Sequence, residues 1–451
     1  MISPTPPIVK DDLPHIGAGL RFAHSPTEYL QTLRKEYGDE FFLDVFGYQL
    51  FCVFSPVGLA SLYAAAEEDA SFGMATYDMM GFKTPMEIFL DADIDLFYDL
   101  LAKDRVSAYL KDFDEALSLE VQRWGATGEL DVFDAVRTLE QRIGFQVWIG
   151  QEAASDKMWL KFKQAFDILS QENAFVNPQA TLNTLVTNKA EERQALAVLQ
   201  ELIGQIVEKR ESNNNWPQDT LSYLYSRFDK GDSVVTRRKL THNLVNANQG
   251  FLSNLYAAVA WTLINACRYP KHGNRLRQEI RKTEAQYGVN YRQNQSALDS
   301  MVFCEQMLME STRMAQRSLT LPKVIRETSF QGQNDLYTLQ PGIYIATMLS
   351  VTNTQTEALA EFDPDHYQGR RLSADLVKHG RETVSTFGHG RHACPAQKFS
   401  HNMCKVVLSR LLSEFEFDEL SGDLQPSHKQ MGGVSRTAST TNLRYRTVKN
   451  E

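Results

Sequence analysis

The sequence predicts a mainly α-helical protein with small β-sheets. Three observations carry this. From about Asp91 to Glu211, apolar residues recur mostly at helical spacing. Arg237–Cys267 reads as one long, largely apolar helix, ended by Tyr269–Pro270. Strand-like patterns are confined to Phe41–Phe54, residues 322–350 and the last thirty residues.

The elements follow in order. Ser25–Tyr37 opens with a Ser N-cap and Pro26 in the first turn, which suits a helix. Phe41–Phe54 is rich in Phe, Val, Leu and Tyr, with Gly47 near its middle, and reads as a β-hairpin. Thr187–Arg210 is the clearest amphipathic helix, and Ser212–Trp216 with Pro217 is a polar break after it. Beyond the long central helix come shorter ones, Lys271–Tyr287 and Leu298–Gln316. Residues 322–350 alternate like strands around a Pro341-Gly342 turn, and 351–393 is rich in loops. A helix is expected to begin at Cys394–Pro395 and to run to about Glu414. No repeats or low-complexity linkers interrupt the chain.

Composition narrows the function. The 451 residues are 43% hydrophobic and 23% charged, ample for a large core. Lys and Arg number 47 against 56 Asp and Glu, a net charge of −9. That excess of acid disfavours general binding to nucleic acid or anionic membranes. Cys52, Cys267, Cys304, Cys394 and Cys404 are odd in number, widely spaced and free of CxxC pairs, as expected in a reducing compartment. The N-terminus lacks a signal-peptide core, and Leu255–Ala266 is too short to span a bilayer. The expectation is a soluble, cytoplasmic protein without a membrane anchor.

The decisive segment is FGHGRHACPAQKFS, Phe387–Ser400. Gly388 and Gly390 permit a tight loop and close approach of a flat ligand. Cys394 is expected at a helix start, where free N–H groups stabilise a thiolate, and Arg391 and His392 can pair with anions beside it. Such a thiolate suits axial ligation of haem iron. A lone Cys is more often a small buried hydrophobe, and His389-x-x-His392-x-Cys394 is also a partial zinc pattern that lacks a clear fourth ligand.

These residues resemble the haem-binding pattern of the cytochrome P450 superfamily, Phe-x-x-Gly-x-(Arg/His)-x-Cys-x-Gly. Phe387, Gly390, His392 and Cys394 match, and Ala396 replaces the final Gly. Glu310-Ser-Thr-Arg313 resembles the family's Glu-x-x-Arg helix, whose charges fall on one helix face. His366 stands where the family adds an Arg. The elements keep family order along the whole chain, and YDMMGFKTPMEIFLDA looks most like soluble bacterial relatives of sterol demethylases.

The resemblance implies one P450 domain over residues 1–451, with an N-terminal β-rich lobe and a larger α-rich lobe. It implies haem b between the long central helix and the Cys-loop helix, with Cys394 as axial ligand. His392, Arg326 and Tyr77 are implied haem-propionate partners. Phe387, Gly388 and Ala396 are implied to pack at the haem, and Glu310, Arg313 and His366 to be structural.

The family's acid-alcohol pair on the central helix falls here on Ser253-Asn254. The acid is missing, and Asn can hydrogen-bond but does not titrate. Bile-acid hydroxylases and prostacyclin synthase resemble the chain at this position. The implied substrate pocket includes Met79, Phe82, Phe89, Phe251, Leu319 and Val434, although Met and Phe equally suit a core. The implied reaction is dioxygen-dependent oxidation of a lipophilic small molecule, with electrons from a separate ferredoxin or flavoprotein. Arg391, Lys398 and Lys405 are candidates for a docking patch. A peroxide-handling enzyme and a non-catalytic haem sensor are the alternatives.

Overall fold

The computed structural model describes residues 5–10, 13–81, 83–170, 184, 186–228 and 231–448. The elements that matter for function are, in order, α1 (Pro26–Tyr37), β1 (Glu40–Val45), β2 (Tyr48–Val53), α2 (Pro56–Ala64), β3 (Ala70–Ser71), α3 (Phe72–Met80), α4 (Lys103–Gln122), β4 (Thr127–Asp131) and α5 (Val132–Trp148). Next come α6 (Trp159–Leu169), α7 (Ala190–Asn213), α8 (Ser233–Leu252), α9 (Leu255–Arg268), α10 (Pro270–Tyr287) and α11 (Val302–Ala315). The remainder are β5 (Leu319–Thr320), β6 (Lys323–Val324), β7 (Thr328–Gln331), β8 (Leu336–Leu339), β9 (Tyr344–Met348), α12 (Gln397–Glu414), β10 (Phe415–Gly422) and β11 (Thr441–Thr447). The fold is mainly α with small sheets, as the sequence predicts.

The chain packs as two compact units, each drawn from several segments. One comprises Met1–Met80, Met309–Cys394 and Gln425–Ala438; the other comprises Gly81–Leu308, Pro395–Leu424 and Ser439–Glu451.

The first unit is built on a sheet ordered β1-β2-β9-β6-β3, with β5 also paired to β9. Phe46 and Gly47 both take positive φ, 54° and 84°, which turns β1 directly into β2. Period-two alternation sends Leu50, Cys52 and Phe54 to one face, where Leu30 and Leu33 of α1 cover them. Phe51 and Val53 point to the other face, against Phe330, Tyr337 and Leu339. Burial on both faces explains why YQLFCV shows little polar alternation.

The second unit is helical, with a small sheet ordered β10-β11-β4. The Asp131 side chain accepts from the Asp134 amide at 2.9 Å and so caps the start of α5. Helix α5 packs along α8 and α9. Phe133 meets Trp261 edge-on, with ring centroids 5.5 Å apart, and the Arg137 guanidinium lies over Tyr256. A Cβ on Gly144 would sit 2.2 Å from Leu252, so glycine there lets the helices approach closely.

Two expectations are corrected. Arg237–Cys267 is not one helix: α8 stops at Leu252 and α9 starts at Leu255. Ser253 and Asn254 are exposed between them. Short polar side chains compete for backbone hydrogen bonds and favour such a break. The second correction concerns the helix expected at Cys394–Pro395. It starts instead at Gln397, because 395–396 forms a turn with Ala396 at the cap.

Candidate functional site

The Cys394 loop is closed by its own backbone. The Cys394 amide donates to the Phe387 carbonyl at 2.6 Å, and the Ser385 hydroxyl accepts from the Gly388 amide at 3.0 Å. Gly388 has φ +75°, and a Cβ there would lie 2.4 Å from the His392 carbonyl oxygen. Glycine is therefore required for both its conformation and its lack of a side chain.

Cys394 is half-buried. Cys52, Cys304 and Cys404 are buried, and burial pushes each of these thiols up. Burial also pushes the Cys267 thiol up to about 11. Cys394 is thus the thiol that the loop, not the hydrophobic core, positions. A soft sulfur donor on a glycine-shaped loop fits the axial ligand of a haem. Phe387 is half-buried and Ala396 is buried at the cap of α12.

His392 stacks on Phe72, with ring centroids 4.0 Å apart, and its Nε2 donates to the Ala65 carbonyl at 3.0 Å. Its Nδ1 lies 4.0 Å from Glu67. His389 donates from Nε2 to the Val384 carbonyl and packs edge-on against Tyr63. Burial lowers the His389 pKa, which keeps the ring neutral. Among the described residues, no group of three or more His, Cys, Asp or Glu could hold a metal ion.

Glu310 and Arg313 lie fully buried on α11. Arg313 donates to both Glu310 oxygens, at 2.6 and 2.7 Å, and to the carbonyls of Asn353, Leu359 and Glu361. His366 Nδ1 lies 3.0 Å from Glu310. Burial opposes ionisation of Glu310, but Arg313 and His366 hold its carboxyl below the usual range.

Tyr77 is exposed on α3. Arg326 is exposed too, and its guanidinium is tied to Asp69. Sequence reasoning passed over Lys323 on the same segment. Lys323 is half-buried, 2.7 Å from Asp78, which also accepts from the Tyr344 hydroxyl. A lysine directly after Pro322, opening the short strand β6, was the available signal.

Asn254 Nδ2 lies 3.4 Å from Ser253 Oγ at the helix break. Met79, Phe89 and Leu319 are half-buried and Val434 is buried; Leu319 packs against the first unit's core. Phe82 and the side chain of Phe251 lie outside the described residues. The docking patch needs correction. Lys405 is buried, 2.5 Å from Glu305, while Lys398 is exposed and paired with Asp299 and Arg391 is exposed.

The family model for cytochrome P450 matches residues 104–444. Mouse cytochrome P450 7B1 is 22% identical over 98% of this chain and 90% of its own length. A sterol 14alpha-demethylase of Mycolicibacterium vanbaalenii is 23% identical, covering 72% of this chain and 71% of its own. Mouse lanosterol 14-alpha demethylase is 22% identical, covering 93% and 83%. The chain belongs to the cytochrome P450 family. It is therefore a haem-thiolate oxidoreductase of the monooxygenase type, acting on lipophilic molecules. Among the described residues, no helix is long and apolar enough to cross a membrane.

Proposed function

We propose that residues 1–451 act as one P450 domain that binds haem b through the Cys394 thiolate and oxidises a lipophilic small molecule with dioxygen. Electrons come from a separate ferredoxin or flavoprotein, and the protein works in the reducing cytoplasm, in keeping with an odd number of widely spaced cysteines. The observation that carries this reading is Cys394, held outside the core on a glycine-shaped loop closed by the Phe387 carbonyl. When bound, haem supplies dioxygen activation, chemistry that no side chain offers.

In this reading His392, Arg326 and Tyr77 take the propionates. Met79, Leu319 and Val434, all of the first unit, line an apolar pocket, and a sterol-sized lipophile is a suitable first substrate class. Glu310, Arg313 and His366 hold the loop scaffold. Ser253 and Asn254 offer a hydroxyl and a carboxamide at the helix break, able to hold water or substrate by hydrogen bonds.

The reduced, carbon-monoxide-bound protein should show the red-shifted Soret band of thiolate ligation, and Cys394→Ser should abolish it. Persistence of that band in the variant would sink the assignment.

The missing acid at Ser253–Asn254 favours a second reading, a peroxygenase or peroxide isomerase. Product from a peroxide alone, without reductant, would support it. Turnover confined to dioxygen with an electron donor would exclude it.

A further inference from the structure

Within the second unit, residues 83–93 form a strap tied to two helices, and the two ties differ in kind. On α8 the strap is held by its backbone. Asn243 Nδ2 donates to the Asp91 carbonyl at 2.9 Å, and its Oδ1 accepts from the Asp93 amide at 3.0 Å. Asn246 donates to the carbonyl of the fully buried Ile88 at 3.4 Å. The Asp91 carboxylate lies 2.9 Å from both Arg238 Nε and His242 Nδ1. Backbone groups satisfied in this way make α8 the fixed side.

The start of α7 meets the strap through the ends of charged side chains. Lys83 Nζ lies 2.5 Å from Glu192 Oε1, with both side chains buried. Lys189 Nζ donates to the Thr84 carbonyl at 3.1 Å, and Arg193 Nε lies 3.1 Å from Glu87 at the surface. Two features make this side costly to keep closed. Glu192 Oε2 is enclosed without a hydrogen-bond partner. Asn188 and Lys189, in succession, hold positive φ of 49° and 58°. A buried ion pair gains little over an apolar pair, and backbone strain persists only where its surroundings impose it. The α7 side is therefore the one that lets go.

We propose that residues 83–93 are a gate, hinged on α8 at Asn243 and clasped to α7 by Lys83 and Glu192, which opens to admit the lipophilic substrate. Opening returns both charges to water and frees Asn188 and Lys189 to relax. The role in substrate entry rests on the function proposed above; Phe89, an implied pocket residue, lies on the strap. The clasp and hinge themselves rest on geometry alone.

The test uses the haem-loaded protein and two measurements. Hydrogen exchange read by mass spectrometry reports opening of the strap. Stopped-flow mixing with clotrimazole, a bulky azole that ligates haem iron, reports entry, with imidazole as the small control. Glu192→Leu strands the Lys83 ammonium and drives it out to water. Exchange around residues 84–90 and the clotrimazole on-rate should each rise about tenfold, with imidazole binding and exchange in α8 unchanged. Lys83→Met/Glu192→Leu strands no charge and should return both readings toward wild type. If Glu192→Leu instead speeds exchange in α7 and α8 alike and lowers the melting temperature, the pair is only a brace and the proposal falls. Faster exchange in the strap with an unchanged clotrimazole rate would also overturn the gate. The carbon-monoxide Soret band, recorded on each sample, separates these outcomes from failure of the haem-thiolate reading.

Discussion

The Lys405 ammonium lies 2.5 Å from the Glu305 carboxylate, joining α12 to α11 with both side chains buried. Lys405 also donates to the Leu298 carbonyl, and His401 Nδ1 lies 3.3 Å from Glu305. Burial opposes ionisation of Glu305, but His401 and Lys405 outweigh it and hold its carboxyl well below the usual range. Removing one partner leaves a buried charge alone, so Glu305→Leu or Lys405→Met should each cost about 3–5 kcal/mol. The double variant Glu305→Leu/Lys405→Met should recover most of that loss in urea unfolding. Because the folded carboxyl is depressed, its contribution is present above the unfolded carboxylate pKa, about 4.3, and is lost as pH falls below it. Additive single losses would contradict the pairing.

Glu140 on α5 makes the opposite prediction. It is buried, its Oε2 has no hydrogen-bond partner, and burial raises its carboxyl well above the usual range. The folded protein keeps a proton that the unfolded chain releases above about pH 4.3. Stability from this site therefore falls as pH rises toward the folded-state pKa. Glu140→Gln, neutral and nearly isosteric, should raise stability at about pH 8 by on the order of 1–3 kcal/mol and flatten the pH dependence. Equal pH profiles for variant and wild type would show that Glu140 is not held neutral.

Gly388→Ala should damage the Cys394 loop. The new Cβ meets the His392 carbonyl at 2.4 Å in a backbone region that L-residues avoid. A cost of about 1–3 kcal/mol and lower haem retention are expected in thermal melts and loading assays. Full haem loading at an unchanged melting temperature would show that the loop yields freely.

Arg313→Lys should fail almost as badly as Arg313→Ala. One ammonium cannot replace a fork that grips both Glu310 oxygens while reaching three carbonyls. A loss of about 3 kcal/mol or more is expected in chemical denaturation, with His366→Ala costing less. Rescue by lysine would reduce Arg313 to a simple point charge.

Much of this protein was legible in local sequence. A run rich in Phe, Val, Leu and Tyr with Gly47 near its middle gave away the β1–β2 hairpin, because strand pairing across a tight turn involves neighbours in the chain. The segment Phe387–Ser400 singled out Cys394 for a similar reason. Glycines and thiol sit within one loop, so their chemistry is written contiguously. The i, i+3 spacing brought Glu310 and Arg313 onto one face of α11.

Other features depended on contacts across long stretches of chain. Periodicity ran α8 and α9 together, since two polar residues, Ser253 and Asn254, barely interrupt an apolar helical pattern that continues on both sides. Lys405 read as a docking lysine because nothing near it in sequence foretells Glu305. The sequence by itself determined the element types and the chemically active loop, which follow from local geometry. Tertiary packing decided which charges are buried and paired, because burial and pairing depend on what the rest of the fold brings alongside.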